Sequence, residues 1–140
     1  MAAEPVTASV LVEADPDEVY EYFTSAEAMV LWMGQYASLD PRPDGEFTVD
    51  IDGAPVRGRY QELEPPNRLL ISWGFAGSDE LPPGTSTVEV LLTEAVGGTR
   101  VEIIHRGLPA GQAAGHARGW GRFLANLAAG HEGDPATLRV

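Results

Sequence analysis

Between Tyr36 and His105 the sequence runs in short segments whose apolar residues fall at every second position, joined by short turn-rich links. Phe47, Val49 and Ile51 alternate with Glu46, Thr48 and Asp50, and Asp52-Gly53 is a two-residue hairpin signal. Val56–Leu63 follows, punctuated by Glu64-Pro-Pro-Asn67; Leu69, Ile71, Trp73 and Phe75 then form the most apolar alternating face. After the Gly77–Gly84 loop, Val88, Val90 and Leu92 alternate, Gly97-Gly98 turns, and Val101, Ile103 and His105 alternate again. Links of this length cannot carry a parallel crossover, so the pattern specifies an antiparallel meander. A meander has one apolar face to bury, and the rest of the chain must supply its cover.

Two flanking regions are available. Val6, Ala8, Val10 and Val12 share one face of a first strand. Asp15-Pro-Asp-Glu18 then opens a helix: Asp15 can cap, Pro16 suits the first turn, and Glu18 completes a capping box. Val19, Tyr22, Phe23 and Ala26 continue at helical spacing, with a break at Thr24-Ser25 and a second short helix over about Ala26–Trp32. At the other end, Ala113, Ala117, Trp120, Leu124 and Leu127 mark the apolar stripe of a helix over about Gln112–Ala129, with Phe123 beside it. Gly115, Gly119 and Gly121 each cost this helix about 1 kcal/mol relative to Ala, so packing must hold it. Residues 131–140 are polar and read as a tail, which leaves 1–130 as a single domain. The fold class is α+β: a curved antiparallel sheet of six or seven strands around a long C-terminal helix, with two short helices after the first strand.

One helix across a curled sheet contacts its middle and leaves space toward an end. Phe47, Val49, Trp73, Phe75, Val90, Ile103, Trp120 and Leu124 are the inward residues available to line such a space or to fill it. Trp32 closes the second short helix, as a cavity wall or as core. His105 continues the inward face of Ile103, and His116 lies one turn before Trp120, so the two imidazoles are expected to meet near the cavity mouth. They serve there either a ligand, as hydrogen-bonding or acid/base groups, or the fold, with His105 bonded to a loop carbonyl. Arg57 and Arg59 alternate out of phase with Val56 and Tyr60 and belong on the outer face, paired with acids such as Glu46, Asp50 or Glu102.

Several blocks carry a resemblance. Asp15-Pro-Asp-Glu-Val19, Phe23-Thr-Ser, Leu31-Trp32, Gly58-Arg-Tyr-Gln-Glu-Leu-Glu-Pro-Pro66, Gly98-Thr-Arg-Val-Glu-Ile-Ile-His105 and His116-Ala-Arg-Gly-Trp120 stand in order over residues 6–130. In these the sequence resembles the SRPBCC (START-like, Bet v 1-like) superfamily, and within it the branch named after the activator of the Hsp90 ATPase. The resemblance implies a helix-grip fold with a deep cavity between sheet and C-terminal helix. It leaves activity open, since that superfamily hosts lipid carriers, cyclases, co-chaperones and self-resistance proteins.

The chemistry-bearing residues are few. There is no Cys, so thiolate ligands, disulfides and cysteine nucleophiles are excluded. No G-x-S-x-G elbow, phosphate-binding loop or dinucleotide fingerprint occurs, no His/acid spacing supports a metal site, and no local motif sets a Ser beside His105 or His116. No cofactor is expected. With 9 Lys+Arg against 21 Asp+Glu the net charge is −12, which repels nucleic acid and anionic lipid. No apolar run approaches a membrane span, and Met1-Ala-Ala-Glu-Pro5 lacks the basic start of a signal peptide, so a cytoplasmic monomer or homodimer is expected.

The leading functional expectation is non-enzymatic binding of a small hydrophobic or aromatic molecule. The alternatives are a polyketide cyclase or aromatase using His105, His116 or Tyr60, sequestration of an antibiotic for self-resistance, and a co-chaperone role. The eukaryotic Hsp90 activators carry an additional N-terminal domain, and this chain starts at its first strand, which sets the co-chaperone expectation behind the others.

Overall fold

A computed structural model describes residues 4–130. The elements in order are β1 (Val6–Val12), α1 (Pro16–Glu21), α2 (Ala26–Met29), β2 (Tyr36–Leu39), β3 (Glu46–Ile51), β4 (Ala54–Glu64), β5 (Arg68–Phe75), β6 (Ser86–Ala95), β7 (Gly98–Arg106) and α3 (Ala110–Ala129). All seven strands form one antiparallel sheet in the order β1-β7-β6-β5-β4-β3-β2. This is the expected α+β helix-grip arrangement, with the meander intact and β1 returning to pair with β7. No helix among the described residues is long and apolar enough to cross a membrane. The expected tail, 131–140, lies outside the described residues.

The local signals act as their chemistry dictates. Asp52 and Gly53 both take positive φ, 49° and 85°, the geometry a two-residue β-hairpin demands. Asp15 stands at the N-cap of α1, but its side chain makes no capping bond. Ser25 does cap: its Oγ accepts from the Ala28 amide at the start of α2. α2 ends at Met29, three residues short of the expected Trp32.

The sheet bends where β4 meets β5. A Cβ on Gly58 would lie 1.7 Å from the Ser72 carbonyl oxygen, so only glycine permits the approach. Ser72 Oγ accepts the Arg59 amide there at 2.9 Å, in place of a backbone carbonyl. A register shift follows between Tyr60 and Glu62, and such bulges increase local twist. The shift comes after the arginines and turns neither inward. Arg57 pairs with Asp50 at 2.9 Å, as expected. Arg59 also pairs with an acid, though not one of those named: its Nε lies 3.9 Å from Asp44 Oδ1 and its Nη1 donates to the Asp44 carbonyl at 2.9 Å, while the Glu46 carboxylate accepts from the Thr48 and Ser38 hydroxyls. Glu102 belongs to Arg100.

The core lies between the concave sheet face and the three helices. Val19 and Phe23 of the α1 region, Met29 and Met33 around α2, and Trp120, Phe123, Leu124 and Leu127 of α3 bury against the inward strand residues. The buried Tyr60 hydroxyl donates to the Phe23 carbonyl at 2.7 Å, tying β4 to the end of α1. Burial pushes that phenol well above the ordinary tyrosine range.

Candidate functional site, an aromatic cleft on the C-terminal helix

At the N-terminal half of α3 the helix stands off the sheet. The cleft left there has a volume of about 230 Å³ and is lined by Ile51, Ala54 and Val56 of the β3–β4 hairpin, Trp73 and Phe75 of β5, and Gln112, Gly115, His116, Gly119, Trp120 and Phe123 of α3. The cause is local. The stripe that packs the C-terminal half of α3 is Phe123, Leu124 and Leu127, whereas the earlier turns present glycine where a packed helix would carry a large apolar residue.

Of the twelve residues singled out from sequence, the structure brings Trp73, Phe75, His116 and Trp120 to the wall of this cleft. Phe47, Val49, Tyr60, Val90, Ile103 and Leu124 lie in the buried core beneath it. Phe47 reaches closest, its ring centroid 6.1 Å from that of Trp73. Trp32 is elsewhere: it packs edge-on to Phe23 at 5.0 Å and its Nε1 donates to the Tyr22 carbonyl at 3.0 Å. His105 sits fully buried behind the two tryptophans.

The two imidazoles meet, with ring centroids 5.1 Å apart. Their protonation follows from their partners. An indole N–H only donates. Trp120 Nε1 donates to His105 Nδ1 at 3.0 Å, so that nitrogen is bare and Nε2 carries the proton. His105 Nε2–H then donates to Ser86 Oγ at 2.9 Å, and the Ser86 hydroxyl in turn donates a hydrogen bond to the Trp73 carbonyl at 2.9 Å. The same logic fixes His116: Trp73 Nε1 donates to its Nε2 at 3.2 Å, and its Nδ1–H donates to the Gln112 carbonyl at 2.9 Å. Both rings are neutral and every ring nitrogen is used. Desolvation, then the neighbouring His116, hold His105 down to about 3; desolvation also lowers His116, opposed by its bond to Gln112.

Ser86 was absent from the sequence expectations, which placed no Ser beside either histidine; its parity with Val88 on β6 was the available signal. A Ser–His contact invites comparison with a nucleophilic dyad. There the base needs a bare Nε2, held by an acceptor at Nδ1. Here a donor occupies Nδ1, so the tautomer is the opposite one and Ser86 cannot lose its proton to His105. Gly115, Gly119 and Phe123 were also not named as lining, although spacing from Gln112 through His116 and Trp120 already places them on one helix face. A second hollow, of about 550 Å³, lies on the outer sheet face among Glu46, Thr48, Arg57, Arg59 and Ser72, and the bonds of those side chains already described largely satisfy it. No group of three or more His, Asp or Glu among the described residues is arranged to hold a metal.

Residues 13–132 match the family model described as Activator of Hsp90 ATPase homolog 1-like protein. An AHSA1-like protein from Rhizobium etli, solved in solution, is 35% identical with a TM-score of 0.74, and the match covers 96% of this chain and 89% of that one. The crystal structure of DynU16, a putative protein in the dynemicin biosynthetic locus, is 29% identical with a TM-score of 0.77, over 90% of this chain and 46% of that one. The Activator of 90 kDa heat shock protein ATPase homolog 1 of Homo sapiens is 28% identical over 109 residues, 77% of this chain but 31% of that protein. The chain thus spans about a third of the length of that curated relative. With the family model running from the end of β1 through the whole of α3, the chain belongs to the activator of Hsp90 ATPase homolog 1-like family.

Proposed function

We propose that the protein binds a small hydrophobic or aromatic molecule in the cleft between α3 and the β3–β5 end of the sheet, without transforming it. One observation carries this reading: the cleft wall is aromatic and aliphatic, and His116 at it and His105 buried behind it have every ring nitrogen committed inside the protein. General acid–base work needs a group with a proton to give or a lone pair to take it, and neither histidine offers one. The bound molecule is held by area and ring contacts.

The test is a titration followed by tryptophan fluorescence, since Trp73 and Trp120 form the wall. Uncharged probes, long-chain alcohols and polycyclic aromatics, serve as the probe set. Saturable quenching by at least one apolar probe, weakened at least ten-fold by Trp120→Ala, is expected. A protein that quenches with none of them does not use the cleft for ligands. Turnover of a poly-ketone analogue, lost in His116→Ala, would replace this reading with the cyclase one.

A further inference from the structure

We infer that the cleft is a slot for a flat, uncharged aromatic molecule of about two fused rings, and that Gly115 and Gly119 are its specificity-determining residues. This rests on the ligand-binding reading above and narrows it. Size comes first. A buried apolar cavity of about 150 Å³ accommodates one benzene; the cleft, at about 230 Å³, has room for a second ring sharing an edge with the first.

Charge and polarity come next. No charged side chain lines the cleft. The indole nitrogens of Trp73 and Trp120 and both nitrogens of His116 are bonded within the protein, and the Gln112 amide at the mouth is turned to Glu80 at 2.6 Å. A ligand with a charge or several hydrogen-bonding groups would leave water and find no partner there, a cost that excludes it. A flat ring loses nothing on entry and gains ring contacts with Trp73, Phe75 and Trp120.

The glycines supply the third argument. Gly115 and Gly119 lie on α3 with no positive φ, so the backbone does not require them. Packing does not require them either. A Cβ at 115 would find Arg118 Nη2 at 4.0 Å, and one at 119 would find Phe123 Cε2 at 3.7 Å, both ordinary contacts. Glycine is the poorest helix former after proline, so the fold is weakened by two residues it has no use for. Both face the cleft. What they provide is bare helix backbone as a flat floor, with nothing standing between a planar ring and the helix. Gly121 is the internal control: it costs the helix as much, a Cβ there meets nothing within 4 Å, and it does not line the cleft.

The experiment uses the full chain and naphthalene as probe, followed by proton–nitrogen NMR of the indole groups, with Trp32 as a reference outside the cleft. In the wild type the Trp73 and Trp120 signals move on saturation and that of Trp32 does not. Gly115→Ala and Gly119→Ala each raise Tm by roughly 3–5 °C and weaken naphthalene at least ten-fold; Gly121→Ala raises Tm alike and leaves the affinity unchanged. Naphthalene sulfonate binds at least ten-fold more weakly than naphthalene. Alanine variants that keep wild-type affinity, or that lower Tm, overturn the role of the glycines. Equal affinity for the sulfonate overturns the exclusion of charge. Wild type that binds larger apolar probes but not naphthalene overturns this inference alone, and wild type that binds no apolar probe overturns the ligand-binding reading with it.

Discussion

Mild acid should destabilise this protein through its buried histidine before the ordinary carboxylate range is reached. His105 is neutral in the fold and held down to about 3, from an ordinary value of 6.5. The unfolded chain therefore binds a proton that the native state refuses, and stability falls as pH drops below the unfolded value. At pH 5 the unfolded imidazole is almost wholly protonated. The native state then loses RT ln(1 + 10^1.5), about 2 kcal/mol, relative to pH 7.5. His116 is shifted in the same direction and adds to the loss. Glu89 also destabilises in acid, because its bonds to Arg68 and then Arg106 lower it, but that loss sets in only as the pH falls through the ordinary carboxylate range, below this window. The window between pH 7.5 and 5 thus isolates the histidines.

Urea unfolding at the two pH values, read by tryptophan fluorescence, measures the difference. The midpoint should fall by roughly 1 M, and His105→Gln should flatten the pH dependence while lowering stability at both ends. Should that variant fail to fold, the His105 ring signal in the wild type, followed by NMR, should stay that of a neutral imidazole down to about pH 4. Stability constant within about 0.5 kcal/mol across the window, or a His105 ring titrating near its ordinary 6.5, would refute the neutral tautomer and the hydrogen-bond chain derived from it.

Ser86→Ala removes both the acceptor of the His105 proton and the donor to the Trp73 carbonyl, and should cost about 2–3 kcal/mol in urea unfolding; a loss under about 0.5 kcal/mol would mean the hydroxyl is not part of the chain. Tyr60→Phe leaves the Phe23 carbonyl bare in the core and should cost about 1–2 kcal/mol, with Tm as the readout. Gly58→Ala forces a methyl into the Ser72 carbonyl and should cost about 2 kcal/mol or more, seen as a lower urea midpoint. A double-mutant cycle on Trp120→Phe and His105→Leu should give a coupling of about 1–2 kcal/mol, because either change alone strands a buried polar group and the pair strands neither.

Strand parity and turn chemistry made the fold legible. Phe47 and Val49 alternate with Glu46, Thr48 and Asp50 because one face is dry, and Asp52-Gly53 closes its hairpin because both residues accept positive φ. The cleft was half legible for the same reason. Parity says that a side chain points inward; it does not say how far along the sheet the helix remains in contact. Val90 and Ile103 share a face with Trp73 and are buried like it, yet only Trp73 reaches the cleft wall. The information that separates them sits on α3, in glycines that composition alone reads only as a weak helix. Ser86 escaped because a hydroxyl on an apolar strand face has no meaning until register is known. The pairing of Val88 with His105 sets Ser86 on the diagonal, within reach of the imidazole.

The imidazoles follow from the choice of tryptophan. Had Trp73 and Trp120 been phenylalanine, leucine at 105 and 116 would have packed the same space without a polar atom. Two buried indoles bring two N–H groups that must be bonded or pay desolvation. A neutral imidazole answers that need well: one nitrogen accepts the indole proton and the other donates onward, so the chain ends at the Trp73 and Gln112 carbonyls rather than at another unpaired group. The consequence for the cleft is geometric. Each indole is pinned at its N–H edge, so the two rings, with centroids 5.4 Å apart, are held as fixed walls rather than swinging to fill the adjoining space. A rigid wall with its polar edge turned inward, facing a helix floor stripped to glycine, keeps a small apolar volume open against collapse. The residues that look catalytic in the sequence thereby brace the wall of the cleft.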